Sequence, residues 1–232
     1  MIVPKRFLLA EPPVEALPYP PVSHVLLRAA QDALVEAWRR LLARPIDPNA
    51  LLAAHEDDIT NPLVDELVRM CRDGFGAFRQ DSFAAVVKSE ELQDFSGKEV
   101  QKRPDIILRL VPDPARVLEA RYYALFVEAK VINRHANKRV TRYCSEGVAR
   151  FCDGRYAWKM REGMLVAYVL DGSVLAMALP PALDTALVPR AWPTPSRAEI
   201  AASIHDRSWN YRAPNQGAPG AIVLSHVWLR PA

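Results

Sequence analysis

Between Ser23 and Ala43 apolar residues recur at helical spacing (Val25, Leu26, Ala29, Ala33, Leu34, Ala37, Trp38, Leu41), which predicts an amphipathic helix ended near Pro45. Asp47-Pro48 opens a second helical stretch carrying Leu51, Leu52, Ile59, Leu63, Leu67 and Met70. Asn61-Pro62 is placed to cap and restart it, since proline is tolerated at the first helical position, and Gly74 and Gly76 end it. The period then changes. Asp105 to Val111 is a short β run, and Tyr122 to Ile132 is apolar on both faces, as a buried central strand would be. Residues 138–153 return to helical spacing through Val140, Cys144, Val148 and Phe151, with Gly154 at the position of a C-cap. Met164 to Leu170 reads as another buried strand closed by Asp171-Gly172. Residues 173–187 fit no single period; a helix interrupted by Pro180-Pro181 is one reading. A proline-rich loop follows over 189–195. Ser196 with Glu199 then forms a capping-box pattern for a helix to about Ile204, and Ala221 to Leu229 is a last strand.

Strands alternating with helices predict an α/β fold, a central mixed sheet flanked by helices on both faces. Residues 1–45 divide off as a proline-rich arm, extended over 1–22, plus the first helix; residues 46–232 form the main domain. Half the residues are hydrophobic and a quarter charged, which fits a globular domain and not a disordered chain. No apolar run approaches the roughly 18 residues needed to cross a bilayer, and Glu11-Pro12-Pro13 breaks the short patch Phe7 to Ala10, so neither a membrane partner nor a secretory signal is expected. Three cysteines, Cys71, Cys144 and Cys152, with no close C-x-x-C pair, fit small buried residues in a reducing cytoplasm.

The chemistry concentrates in Arg103-Pro104-Asp105 and Phe126-Val127-Glu128-Ala129-Lys130. With a strand period of two, Glu128 and Lys130 project from one face while Val127, Ala129 and Val131 face the other. A carboxylate and an ammonium at the end of a buried strand are costly unless partnered. A divalent cation, with Asp105 from the neighbouring strand, would partner them. Mg²⁺ prefers hard oxygen ligands and is commonly held by one or two carboxylates, with Mn²⁺ as a substitute. Asp105 and Glu128 suit that role, and Lys130 is placed to orient or deprotonate a water. A bare ion pair at the strand end is the plainer alternative.

This constellation resembles the PD-(D/E)XK signature of the restriction endonuclease-like nucleases, a superfamily of restriction, repair and phage-defence enzymes. The likeness covers about residues 50–172. It implies an upstream acidic helix residue, for which Glu56 in His55-Glu56-Asp57-Asp58 is the candidate, and a fourth metal ligand in the carbonyl of Ala129. It also implies a Mg²⁺-dependent endodeoxyribonuclease acting on DNA in bacterial defence, restriction or repair.

Charge adds a surface. From Lys130 to Arg161 there are nine Lys or Arg and two acids, so this stretch carries +7 in a chain of net charge +3. Arg134, Lys138, Arg139, Arg142 and Arg150 follow the motif and are candidate phosphate contacts. Tyr143, Glu146 and Arg150 are spaced to line the side of the same helix near the metal, although Glu146 could equally pair with Arg142 or Arg150. Gly147, costly in mid-helix, points to close packing there. His205 to Arg212 mixes aromatic and basic groups and fits either base stacking or a loop anchored by Trp209. His226 shows no partner in the sequence and reads as structural. No glycine-rich phosphate loop, G-x-S-x-G or H-E-x-x-H is present. The rival functions are a catalytically silent nucleic-acid-binding domain and an interaction subunit of a larger complex. An oligomer or partner protein is plausible for a nuclease with no separate recognition domain.

Overall fold

The computed structural model describes residues 16–45, 47–97, 103–186, 197–211 and 217–231. In chain order the elements are α1 (His24–Leu42), α2 (Pro48–Ala53), α3 (Glu56–Asp73), β1 (Phe83–Lys88), β2 (Ile106–Leu110) and β3 (Ala124–Ile132). There follow α4 (Val140–Arg142), a π turn (Tyr143–Val148), α5 (Ala149–Cys152), β4 (Glu162–Val169), α6 (Leu175–Ala186), β5 (Ile200–His205) and β6 (Ile222–Leu229). Among the described residues one six-stranded sheet runs in the order β1-β2-β3-β4-β6-β5. The first three strands form an antiparallel meander. A helical crossover makes β4 parallel to β3, β6 is parallel to β4, and β5 closes the edge antiparallel to β6. This is the expected α/β architecture, a mixed sheet covered by helices.

α1 and α3 cover one face. Trp38 of α1 lies with its ring 5.7 Å from that of Tyr168, whose hydroxyl meets Thr60 of α3 at 3.0 Å. Trp38 also donates its indole N–H to the carbonyl of Arg230 at 2.8 Å, so α1 is anchored to the end of β6. Its buried stripe, Ala30, Ala33, Leu34 and Ala37, belongs to the same core as the sheet. The π turn and α5 cover the other face at very close range. Phe151 presses on Gly163, where a Cβ would stand 2.6 Å from the ring. β4 is buried at every position, as a central parallel strand should be.

Several local expectations are corrected. β1 was not anticipated; its Phe-Ala-Ala-Val-Val-Lys run is stabilised by pairing with β2. The stretch 47–70 is two helices, with the chain extended at Ala54 and His55 before α3 begins. Pro62 lies inside α3 and does not restart it, and α6 runs through Pro180 and Pro181. Residues 200–205 are strand β5 and not a helix, because pairing with β6 overrides the capping pattern; Ser196 and the loop 189–195 lie outside the described residues. The segment from His205 to Tyr211 points inward at alternate positions: His205, Arg207, Trp209 and Tyr211 are all buried. Trp209 stacks on Phe95 at 4.8 Å, so a base-stacking role for this segment is replaced by an anchoring one. Arg212 and most of the proline-rich arm, residues 1–15, also lie outside the described residues.

Candidate active site

The site forms where β2 begins and β3 nears its end. The antiparallel register pairs Ile106 with Val127, so the next step sets Asp105 beside Glu128. Asp105 lies just before β2. Its Oδ2 accepts the backbone N–H of Ala129 at 2.7 Å, which continues the ladder with a side chain in place of a carbonyl. Glu128 is completely buried and Lys130 nearly so, both on the face covered by the π turn. Glu56, the first residue of α3, reaches the same point, and an acidic residue there is favoured by the helix N-terminus.

The Lys130 ammonium is the hub. Its Nζ lies 2.7 Å from Glu128 Oε1, 2.9 Å from Glu56 Oε1 and 2.8 Å from the carbonyl oxygen of Ala129. Arg150 of α5 approaches the same Glu128 Oε1 at 2.5 Å. Glu128 therefore carries two cations on one oxygen, while Oε2 is buried with no hydrogen-bond partner. Burial, reinforced by Glu128 next to it, pushes the Asp105 carboxyl up to about 7. Burial also raises Glu56, against the pull of Lys130. For Lys130, burial works against the charged form, but the carboxylates of Glu128, Glu56 and Asp105 outweigh it and hold the ammonium above the ordinary lysine value. Lys130 thus sits as an ammonium among carboxylates in this arrangement.

An open cleft of about 220 Å³ gives onto the site, lined among others by His55, Glu56, Lys130, Lys138, Arg142 and Glu146. Lys138 donates to the carbonyl of Ala54 at 3.3 Å, and Arg142 pairs with Glu146 at 2.7 Å on the exposed side of the helix. The intrahelical pairing of Glu146 is the one found. Arg134 and Arg139 are exposed. Arg150, a candidate for the nucleic-acid surface, is turned onto Glu128, and Tyr143 is buried, lines the same cleft as Glu56 and Lys130, and bonds His226 through its hydroxyl. Of the sequence candidates, then, Glu56, Glu128, Lys130 and the Ala129 carbonyl meet directly, and Asp105 adjoins them.

One residue of the site escaped sequence reading. The Tyr156 hydroxyl lies 3.0 Å from Arg150 Nη1 and donates to the carbonyl of Arg103 at 2.8 Å, which ties α5 to the segment leading into Asp105. Gly147 sits over the motif, where a Cβ would stand 3.0 Å from Leu165 Cδ2 and 3.7 Å from Glu128 Cγ. The mid-helix glycine signalled this packing; nothing local signalled Tyr156. A π turn is a common way to shift a helix face by one residue near a functional site, and here it carries Gly147 onto the strand.

The donor set suits a hard divalent cation: carboxylate oxygens from three elements, a backbone carbonyl and one buried carboxylate oxygen without a partner. Among the described residues no group of three or more His, Cys, Asp or Glu side chains is placed to hold a metal ion; Lys130 stands between Glu56 and Glu128. No helix among the described residues is long and apolar enough to cross a membrane, and Cys71, Cys144 and Cys152 are free thiols. No protein-family model, no curated protein and no solved structure matches the chain.

Proposed function

We propose that this protein is a divalent-metal-dependent deoxyribonuclease of the PD-(D/E)XK type that hydrolyses phosphodiester bonds in the cytoplasm, in genome defence, restriction or repair. The observation that carries the reading is the carboxylate cluster on β3: Glu56, Glu128 and the Ala129 carbonyl around Lys130, with Asp105 adjoining and Glu128 Oε2 unpartnered in a buried setting. Arg109 Nε, Trp209 Nε1 and Trp228 Nε1 are also buried without a partner, but Glu128 Oε2 alone of the four is a carboxylate oxygen, and such an atom supports a ligand there.

Asp105, Glu128, the Ala129 carbonyl and Glu56 would hold Mg²⁺ or Mn²⁺. Such an ion polarises the scissile phosphoryl group and makes its bound water acidic. The chain's own residues do the rest. Lys130 Nζ, protonated and partly open to the cleft, can donate to a phosphate oxygen or to the attacking water. Arg150, three-tenths exposed, brings a second cation to the same point, and charge-assisted donors of this kind are strongest in a partly desolvated site. Arg134, Lys138, Arg139 and Arg142 supply a basic rim for the sugar-phosphate backbone. Such contacts give affinity and register without sequence information.

The test is incubation with supercoiled plasmid in Mg²⁺, Mn²⁺ or EDTA, beside Lys130→Ala. The expected result is metal-dependent nicking or linearisation that the variant lacks. Cleavage that persists in EDTA, or at full rate in the variant, overturns the proposal. A second reading, a nuclease-like domain that binds nucleic acid without cutting, is favoured by one observation: the lysine bonds already occupy the oxygens a metal would need. DNA binding with no cleavage in any metal would select it.

A further inference from the structure

Three of the four oxygen donors assigned above to the metal are already engaged by one cation of the chain itself. Lys130 Nζ lies within 2.9 Å of Glu56 Oε1, Glu128 Oε1 and the Ala129 carbonyl oxygen. These are two carboxylates and a carbonyl from different parts of the fold, and an ammonium at their focus is placed as a bound cation would be. Arg150 adds a second positive charge on Glu128 Oε1 from the opposite element. Asp105, the fourth donor, is turned to the backbone N–H of Ala129. Each cation is also secured from behind. Arg150 bonds the Tyr156 hydroxyl at 3.0 Å and lies over its ring at 5.5 Å, while the lysine stem passes beneath Gly147, whose absent side chain leaves Lys130 Cγ room 3.9 Å from the Cβ position.

From this geometry we infer that Lys130 is a resident counter-ion of the metal site, and that it sets the protein's metal affinity by competing with the divalent ion for Glu56, Glu128 and the Ala129 carbonyl. The inference rests on the metal-dependent reading above. It adds that metal meets a third positive charge at these oxygens and gains them fully only when the ammonium moves off them. The cleft beside Glu56 and Lys130 gives it somewhere to go, because that is where the lysine is open to solvent. Metal binding and release of the lysine into the cleft are then one event. The same movement delivers the ammonium to the place where a phosphate of the substrate would lie, so a metal-free site holds its lysine back. Removing the ammonium therefore has two opposite effects. It destroys the group that acts on substrate, and it frees the oxygens for metal.

The test uses Mn²⁺ alone as probe, with no nucleic acid, titrated by calorimetry into the full-length wild type, Lys130→Met and Lys130→Ala. Methionine keeps the lysine stem as far as Cε without the charge. The expected result is Mn²⁺ binding at least about tenfold tighter in both variants, the effect of roughly 1.4 kcal/mol. A control for net charge is Arg72→Met. Arg72 is exposed in the last turn of the 18-residue α3, opposite the end that holds Glu56, so its charge lies roughly 25 Å from the site. Its affinity for Mn²⁺ should match the wild type. As a second readout, Mn²⁺ should raise the melting temperature of Lys130→Met by more than that of the wild type. Wild type that binds Mn²⁺ while both lysine variants bind no tighter, or an Arg72→Met variant that tightens as much as they do, overturns this inference and leaves the metal reading standing. No Mn²⁺ binding by any of the folded proteins overturns both.

Discussion

Glu128 and His226 lie in a single row across the sheet, one on β3 and one on β6, with Leu165 of β4 between them. Both are fully buried on the face covered by the π turn, yet they are treated in opposite ways. His226 closes every bond it can make. The Tyr143 hydroxyl meets its Nδ1 at 2.8 Å, Ser203 Oγ meets its Nε2 at 2.8 Å, and Ser203 passes the chain on to His205 Nε2 at 2.7 Å. Every member is an uncharged group, since burial lowers His226 to about 3 and His205 to about 4. Glu128 instead has two cations crowded on one oxygen and nothing on the other. A fold can satisfy a neutral polar chain with its own groups, and such a chain specifies packing. A buried carboxylate left half-satisfied needs something the fold does not provide. By this criterion the first is the structural half of the row and the second the half to which the proposed function belongs.

The largest effect should come from breaking the charged half. Glu128→Gln is expected to lower metal-dependent plasmid cleavage by roughly a hundredfold or more, the scale seen when one electrostatic group leaves a catalytic site. Stability should change little, by about 1 kcal/mol or less. Removing one partner of a buried pair is usually expensive because it strands the other charge. Here the stranded cations are partly exposed and keep Glu56 and Tyr156 as partners. Urea denaturation alongside the cleavage assay separates the two outcomes. A variant that cuts normally would place the chemistry elsewhere.

The neutral half should show the reverse. Tyr143→Phe or His226→Gln leaves a buried partner unsatisfied and should cost about 1–3 kcal/mol in urea denaturation, with cleavage close to wild type. pH sharpens the contrast. A histidine whose folded pKa is depressed contributes stability that is fully present above its unfolded value near 6.5 and is lost as pH falls toward the folded value. His226 and His205 both act this way, so the stability gap between wild type and His226→Gln should narrow as pH falls from about 6.5 to 4. Asp105 has the opposite sign. Its folded pKa of about 7 lies above the unfolded value, so its burial is most destabilising above 7 and is relieved as pH falls toward 4. Asp105→Asn should therefore gain most over the wild type at high pH. A gap that is flat with pH in either variant would break the assignment.

What sequence could read of this row, and what it could not, follows from range. β3 was legible because Tyr122 to Ile132 is apolar on both faces and carries two charges two residues apart. α1 was legible from its 3.6-residue period. Glu56 was reached only by likeness, since no local pattern brings α3 to β3. The partners of His226 come from Tyr143 and Ser203, 83 and 23 residues away, and the sequence around His226 contains no trace of them. β5 misled because a capping pattern is local whereas its pairing with β6 is not. Arg150 was placed among the phosphate contacts by charge counting and on the side near the metal candidates by helical spacing, and it is found against Glu128.

That difference between an arginine facing Glu128 and one facing solvent predicts a third, smaller effect. Arg139 is exposed and Arg142 is paired with Glu146 on the surface. Replacing both by alanine should weaken DNA binding and flatten its dependence on salt by about one unit of log–log slope for each phosphate no longer neutralised. Mn²⁺ affinity should stay put. Fluorescence anisotropy over a salt series reads the slope, and an unchanged slope would mean that the basic rim faces away from the nucleic acid.

The smallest effect in stability joins the two halves of the row at Leu165. Gly147→Ala replaces a poor helix former with the best one, worth about 1 kcal/mol in a helix interior. The new Cβ would stand 3.0 Å from Leu165 Cδ2, closer than comfortable contact, and Leu165 is fully buried between Glu128 and His226. Overpacking a core typically costs about 1–3 kcal/mol, though here one methyl group at the end of a flexible side chain is all that must shift. The two terms nearly cancel, so the net stability change should stay within about 1 kcal/mol. Activity has no such compensation. The same Cβ lies 3.7 Å from Glu128 Cγ and 3.9 Å from Lys130 Cγ, and a displaced Leu165 pushes on the strand that carries them. A shift of a fraction of an ångström in a metal-holding carboxylate is felt in rate long before it is felt in folding, since catalysis depends on orientation that stability does not sense. Gly147→Ala should therefore lower kcat several-fold at nearly unchanged melting temperature. If instead it lowers stability and leaves kcat alone, the crowding falls on the His226 side of Leu165, and Gly147 serves the structural half of the row.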